Sequence, residues 1–211
     1  MAGLNEQALG IFGGTFDPPH IGHLILAADA QAQLGLERVL FVLTPNPPHK
    51  TGRRIRPVTQ RLALLQVALD DDPNFELSRV DIDRPPPHYA VDTVRLLREQ
   101  KPYAELVYLM GGDSLADLPT WHRPQEFVLA CDAIGVMCRP GRTVDLEALE
   151  SRLPGLKDRV RFIQAPMLAI SSSELRQRMA QGQTFRYYLP PAVYQLILKR
   201  GLYGVTRRNR G

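Results

Sequence analysis

Short apolar runs rich in β-branched residues recur at Leu9–Phe12, Val39–Leu43, Phe75–Val80, Leu106–Met110, Ala133–Met137 and Val160–Ile163. Between most of them the spacing turns helical. Leu24, Ala27, Ala28, Gln31 and Leu34 fall on one face of a first helix. Pro57 is placed to open a second, in which Leu62, Leu65 and Leu69 repeat. A third spans Ala90–Glu99 and a fourth Pro124–Leu129, and helices after Ser171 and after Pro190 close the chain. Such alternation predicts an α/β fold: a Rossmann-like, doubly wound, mostly parallel sheet with helices on both faces and a small helical C-terminal part. No repeat, low-complexity stretch or linker divides the chain. Residues 1–211 read as one domain, with 171–211 as the stretch that could form a helical appendage.

In doubly wound sheets the ligand sits beyond the C-terminal strand ends, where strand order reverses. In the common order that point lies between the first and fourth strands. Here the first runs into Gly13-Gly14 and the fourth into Gly111-Gly112-Asp113. Two glycine turns are therefore expected side by side at the ligand crevice.

Composition narrows the class. With 44% apolar and 23% charged residues in 211, the chain is an ordinary globular protein. The 18 prolines cluster in Pro45–Pro48 and Pro85–Pro87, which read as loops. No apolar run approaches the ~20 residues that cross a bilayer, and Met1–Leu9 lacks the basic stretch and apolar core of a signal peptide. Cys131 and Cys138 lack a second Cys/His pair at metal spacing and read as buried thiols, which suits a reducing cytoplasm. The net charge of +4 suits a polyanionic partner. Its arginine clusters, Arg53-Arg54-Ile55-Arg56 and Arg207-Arg208-Asn209-Arg210, lack the interleaved aromatics of a nucleic-acid-binding module.

The chemistry concentrates in two segments. In Gly13-Gly14-Thr15-Phe16-Asp17-Pro18-Pro19-His20-Ile21-Gly22-His23, the glycines let backbone approach an anion. His20 and His23 lie three apart at a helix start that itself favours anions. An anionic ligand there keeps both imidazoles protonated. Gly22 between them makes room for a ribose or base. A plain surface turn, with Asp17 as the helix cap, is the bland alternative. Ser171-Ser172-Ser173-Glu174 reads as a capping box, yet Arg176 in that first turn opposes the helix dipole and implies a bound anion. Gly111-Gly112-Asp113 reads either as a ribose-binding turn or as an Asp cap.

The first segment resembles the signature of the nucleotidyltransferase superfamily that carries a His-x-Gly-His motif. Ile170-Ser171-Ser172-Ser173-Glu174-Leu175-Arg176 resembles its second signature, with Ser173 where threonine is usual. Within that superfamily the chain is most similar, over essentially its whole length, to the bacterial nicotinate-mononucleotide adenylyltransferases. The resemblance implies catalytic roles for His20, His23 and Arg176. It implies ATP binding by Gly13, Gly14, Thr15, Phe16, His20, His23, Gly111, Asp113, Arg139, Ile170, Ser171, Ser172 and Arg176. It also implies mononucleotide binding by Thr15, Asn46, Lys50, Tyr89, Ala90, Trp121 and His122. Ala90 replaces a usual threonine, and a contact through its backbone N–H survives that change.

The implied reaction is in-line attack of the mononucleotide phosphate on the α-phosphorus of ATP, in NAD biosynthesis. Mg²⁺ is expected to arrive with the nucleotide, since no dedicated carboxylate cluster is visible. ATP and nicotinate mononucleotide are the expected partners, with no nucleic acid or membrane; a homo-oligomer is left open. The amide mononucleotide or phosphopantetheine are rival substrates, and a nucleotide-binding regulator is the non-enzymatic rival.

Overall fold

The computed structural model describes residues 7–46, 55–137, 144–166 and 168–205. Among them, strands β1 (Ala8–Gly14), β2 (Arg38–Leu43), β3 (Phe75–Ser78), β4 (Glu105–Gly111), β5 (Ala133–Met137) and β6 (Val160–Ile163) form one sheet. Its order is β3-β2-β1-β4-β5-β6, and every neighbouring pair is parallel. The reversal falls between β1 and β4, as the strand spacing predicted.

Alternate residues of each strand feed opposite apolar layers, as a sheet covered on both faces requires. Leu9, Ile11, Leu40, Val42, Leu106, Tyr108 and Ile134 pack under α3 (Ala90–Gln100) and α5 (Pro124–Ala130). Ala8, Phe12, Val39, Phe41, Val107 and Leu109 pack under α1 (Ile21–Leu34) and α2 (Val58–Leu69). The far side of α2, through Leu64 and Ala68, joins a third cluster with α8 (Ser172–Ala180), α9 (Pro191–Arg200) and the C-terminal turn at Leu202–Tyr203.

Some details depart from the pattern. β3 ends at Ser78, because the chain beyond it turns and ties itself through Arg79–Asp83 and Arg84–Asp81 ion pairs. Three short helices appear, α4 (Gly112–Asp117), α6 (Leu146–Arg152) and α7 (Leu156–Arg159), each too brief to show a clear period. Cys131 is not in a strand but ends α5, buried, and burial pushes its thiol up in pKa. Cys138 and the tail arginines lie outside the described residues.

Candidate active site

The turn after β1 enters α1 at His20, an extended residue that caps the helix. Asp17 is therefore not the cap. Its buried carboxylate instead accepts from the Tyr203 hydroxyl at 2.7 Å and the Arg56 backbone N–H at 3.2 Å. Phe16 adopts a left-handed φ of 46°, and its buried ring meets His23 edge-on at 5.0 Å. Only its backbone can face a ligand.

The two histidines do face the same way, stacked with ring centroids 3.6 Å apart and planes 22° apart. The His20 backbone N–H donates to His23 Nδ1 at 3.1 Å, so a neutral His23 carries its proton on Nε2. The expectation of protonated rings applies to the anion-bound site. His20 is 5% exposed, and burial lowers its pKa to about 4, so it is neutral while no anion is bound. At Gly22 a Cβ would lie 3.1 Å from His20 Nδ1 and 3.9 Å from Ile170 Cβ, so the glycine also makes room for the histidine ring.

The second signature sits against the first. Ser171 Oγ caps α8 by accepting from the Glu174 N–H at 3.1 Å. Glu174 turns away to Arg178, so the capping box is not reciprocal. Ser172 Oγ donates to the Pro18 carbonyl at 2.8 Å, and Arg176 donates to the Asp17 carbonyl at 2.7 Å and to Ser173 Oγ at 3.1 Å. These contacts supply part of the reason for an arginine at the unfavourable end of the dipole.

Two cavities open beside this junction. The larger, about 630 Å³, takes in Phe12, Leu26, Gly111, Asp113, Leu149 and Ile170. Gly111 is the cap of α4, and Asp113 lies within its first turn, so the Asp-cap reading fails. The smaller, about 140 Å³, collects Gly13, Gly14, Thr15, Tyr89, Ala90, Trp121 and His122. Tyr89 stacks on His122 at 3.9 Å, while Trp121 leans on Phe127 at 5.3 Å. Asn46 is exposed just past β2, while Lys50 and Arg139 lie outside the described residues.

Several residues went unrecognised in the sequence. Arg61, 1% exposed, donates to the carbonyls of Arg56, Thr15, Thr44 and Pro45 at 2.7–3.0 Å, tying the turn after β1 to the loop after β2. Its signal was an arginine three and four residues before Leu64 and Leu65, on the buried stripe of α2. Under the small cavity, Asp81 Oδ1 accepts from Arg84 at 2.9 Å and from Thr93 Oγ1 at 2.8 Å. Arg84 also donates to the carbonyls of Pro87 and Tyr89 at 2.8 and 3.3 Å, fixing the approach to α3.

A doubly wound sheet whose crossover crevice brings paired histidines and an arginine to one helix start defines a nucleotide-binding α/β protein of the nucleotidyltransferase type. Residues 11–178 match the cytidylyltransferase-like family, and the chain belongs to it. A relative from Thermomicrobium roseum named probable nicotinate-nucleotide adenylyltransferase is 50% identical, over 92% of this chain and 91% of its own. One of the same name from Thermus thermophilus is 39% identical, over 92% and 98%. The Plasmodium falciparum nicotinic acid mononucleotide adenylyltransferase complexed with NaAD shares the fold: TM-score 0.77 at 18% identity, covering 95% of this chain and 98% of that one. No helix among the described residues is long and apolar enough to cross a membrane.

Proposed function

We propose that this protein transfers the adenylyl group of ATP to nicotinate mononucleotide, giving nicotinate adenine dinucleotide and pyrophosphate for NAD biosynthesis. The observation that carries this reading is the junction of the two signatures: Ser172 and Arg176 bond the Pro18 and Asp17 carbonyls just ahead of His20, in a fold with cavities of about 630 and 140 Å³ on either side of the β1 turn. Curated relatives of 39–50% identity bear the name of that activity.

A phosphate oxygen of the mononucleotide attacks the α-phosphorus, and the bond to the bridging α–β oxygen breaks as pyrophosphate leaves. The nucleophile is already an anion, so no general base is needed. Catalysis is positioning and charge neutralisation. His20 and His23 hydrogen-bond the phosphates, and the incoming anion raises the affinity of His20 for its proton. Arg176, anchored at Asp17 and Ser173, offers the rest of its fork to the β- and γ-phosphates. Gly111 and Asp113 receive the ribose of ATP beside Ile170, and Ser171 and Ser172 hold the α8 end against the phosphate turn; Arg139, outside the described residues, is assigned to ATP by the resemblance alone. Imidazoles and a guanidinium suit a metal-bound triphosphate better than a bare cation. Mg²⁺ carried by ATP would add further charge neutralisation.

In the small cavity Trp121 flanks the pyridine ring, while Tyr89 and His122 close its edge. Asn46 and Lys50 serve the mononucleotide phosphate. The N–H of Ala90 belongs to the first turn of α3, where no intrahelical acceptor exists. Together with the His122 N–H it takes a carboxylate, which only accepts, in preference to a carboxamide, which presents two donors. The reading places the enzyme in the cytoplasm with small-molecule substrates. The test is product formation from ATP with the acid and the amide mononucleotide side by side. Preference for the acid is expected; equal use removes the substrate assignment, and no product with either overturns the reading.

A further inference from the structure

Two polar groups bordering the small cavity are left without partners by the protein. Tyr108, 9% exposed, rises from β4 with its ring held edge-on by Phe127 at 4.9 Å and Trp121 at 6.2 Å. Its hydroxyl lies over Gly13, where a Cβ would come within 2.8 Å of it. The hydroxyl borders the cavity and makes no hydrogen bond to another described residue. His88, 5% exposed, has a buried Nδ1 with no partner, while its Nε2 lies 3.3 Å from the Arg84 carbonyl. A carbonyl only accepts, so Nε2 carries the proton and Nδ1 presents a lone pair. Burial, with the charge of Asp81 adding to it, pushes the Tyr108 hydroxyl up in pKa, so it stays protonated.

A buried polar atom without a partner, such as His88 Nδ1, costs stability and calls for an explanation in a ligand, and a cavity-facing hydroxyl with no protein partner stands ready to meet the same ligand. On the reading proposed above, the Ala90–His122 wall takes the carboxylate and the Gly13–Thr15 turn takes the phosphate. The Tyr108 hydroxyl, at Gly13, stands between them, where the sugar that links the two must pass. A hydroxyl that gives and takes, beside a ring nitrogen that only takes, complements sugar hydroxyls. A carboxylate has no proton to give to Nδ1.

We propose that Tyr108 is a further specificity-determining residue of the mononucleotide site, its hydroxyl hydrogen-bonded to the ribose of the pyridine nucleotide. The inference rests on the function proposed above. Tyr108→Phe removes a cavity-facing hydroxyl that makes no hydrogen bond to another described residue, so the melting temperature should not fall. KM for nicotinate mononucleotide should rise about fivefold, the worth of one neutral hydrogen bond. KM for ATP should not move, and the amide mononucleotide should lose by the same factor. Calorimetric titration with nicotinate mononucleotide alone reads the same loss in Kd without turnover. An unchanged KM and Kd, a loss shared with ATP, a loss confined to the acid, or a fall in melting temperature each overturn the assignment. If the wild-type chain forms no product, the functional reading fails; the titration still decides whether Tyr108 meets the mononucleotide.

Discussion

At the phosphate end, groups 159 residues apart hold one another: Arg176 on the Asp17 carbonyl, with Ser172 on Pro18 beside it. At the pyridine end the arrangement is inverted. The hydrogen bonds run beneath the wall, from Arg84 to Asp81, Pro87 and Tyr89, while His88 at its edge keeps a buried Nδ1 without a partner. On the function proposed above, the difference follows from what each end must recognise. Phosphates are highly charged, and ionisable groups bind them strongly over a range of geometries, so that end can tolerate its own internal bonding. An acid and an amide differ only in donors and acceptors, so discrimination needs fixed positions, and fixed positions need support from below.

The sharpest way to break this contrast is to remove the support. Arg84→Met leaves Asp81 as a buried charge without its cation, and a loss of about 4 kcal/mol in folding stability is expected by denaturant titration. The surviving protein should also discriminate less between acid and amide. A loss below about 1 kcal/mol would show that the wall stands without its foundation.

Acid should act on the other end. His20 titrates at about 4 in the folded protein against 6.5 unfolded, so the unfolded chain binds the extra proton between those values. The stability tied to its neutral form is complete above pH 6.5 and drains as pH falls towards 4, by about 3 kcal/mol. Denaturation at a series of pH values should show this slope shrinking in His20→Asn, and an identical slope in both proteins would refute the buried neutral ring.

The remaining two changes compare the ends as catalysts. His20→Ala should lower kcat/KM about 100-fold in a pyrophosphate-release assay, on the scale of losing one donor to developing charge. Near-normal turnover would remove His20 from the phosphate clamp. Trp121→Ala should raise KM for the mononucleotide about tenfold with kcat nearly kept, as expected for one lost stacking surface. If kcat falls instead, the two ends are not separable in the way their architecture suggests.

Much of this was legible in the chain. The six apolar runs and the glycine turns after the first and fourth located the crevice, because a buried parallel strand must be apolar on both faces. The two signatures named the phosphate end, since glycine, histidine, serine and arginine at those spacings serve anions through short-range geometry. Other features were illegible for a common reason. Arg61 joins carbonyls of four residues spread over three segments, and a pattern search sees only a charge within an apolar stripe. The Asp81–Arg84–Thr93 bonds look in sequence like ordinary surface charges after a strand.

The sequence by itself determined which elements form, their order, and which residues could hold a phosphate, because these depend on local propensity, apolar period and side-chain chemistry. Only the tertiary structure decided that His20 is neutral while no anion is bound, that Gly22 leaves room for the His20 ring, and that the Tyr108 side chain borders the small cavity. Each of those depends on how much water and which distant atoms surround a group, and burial and long-range contact exist only once the chain has folded.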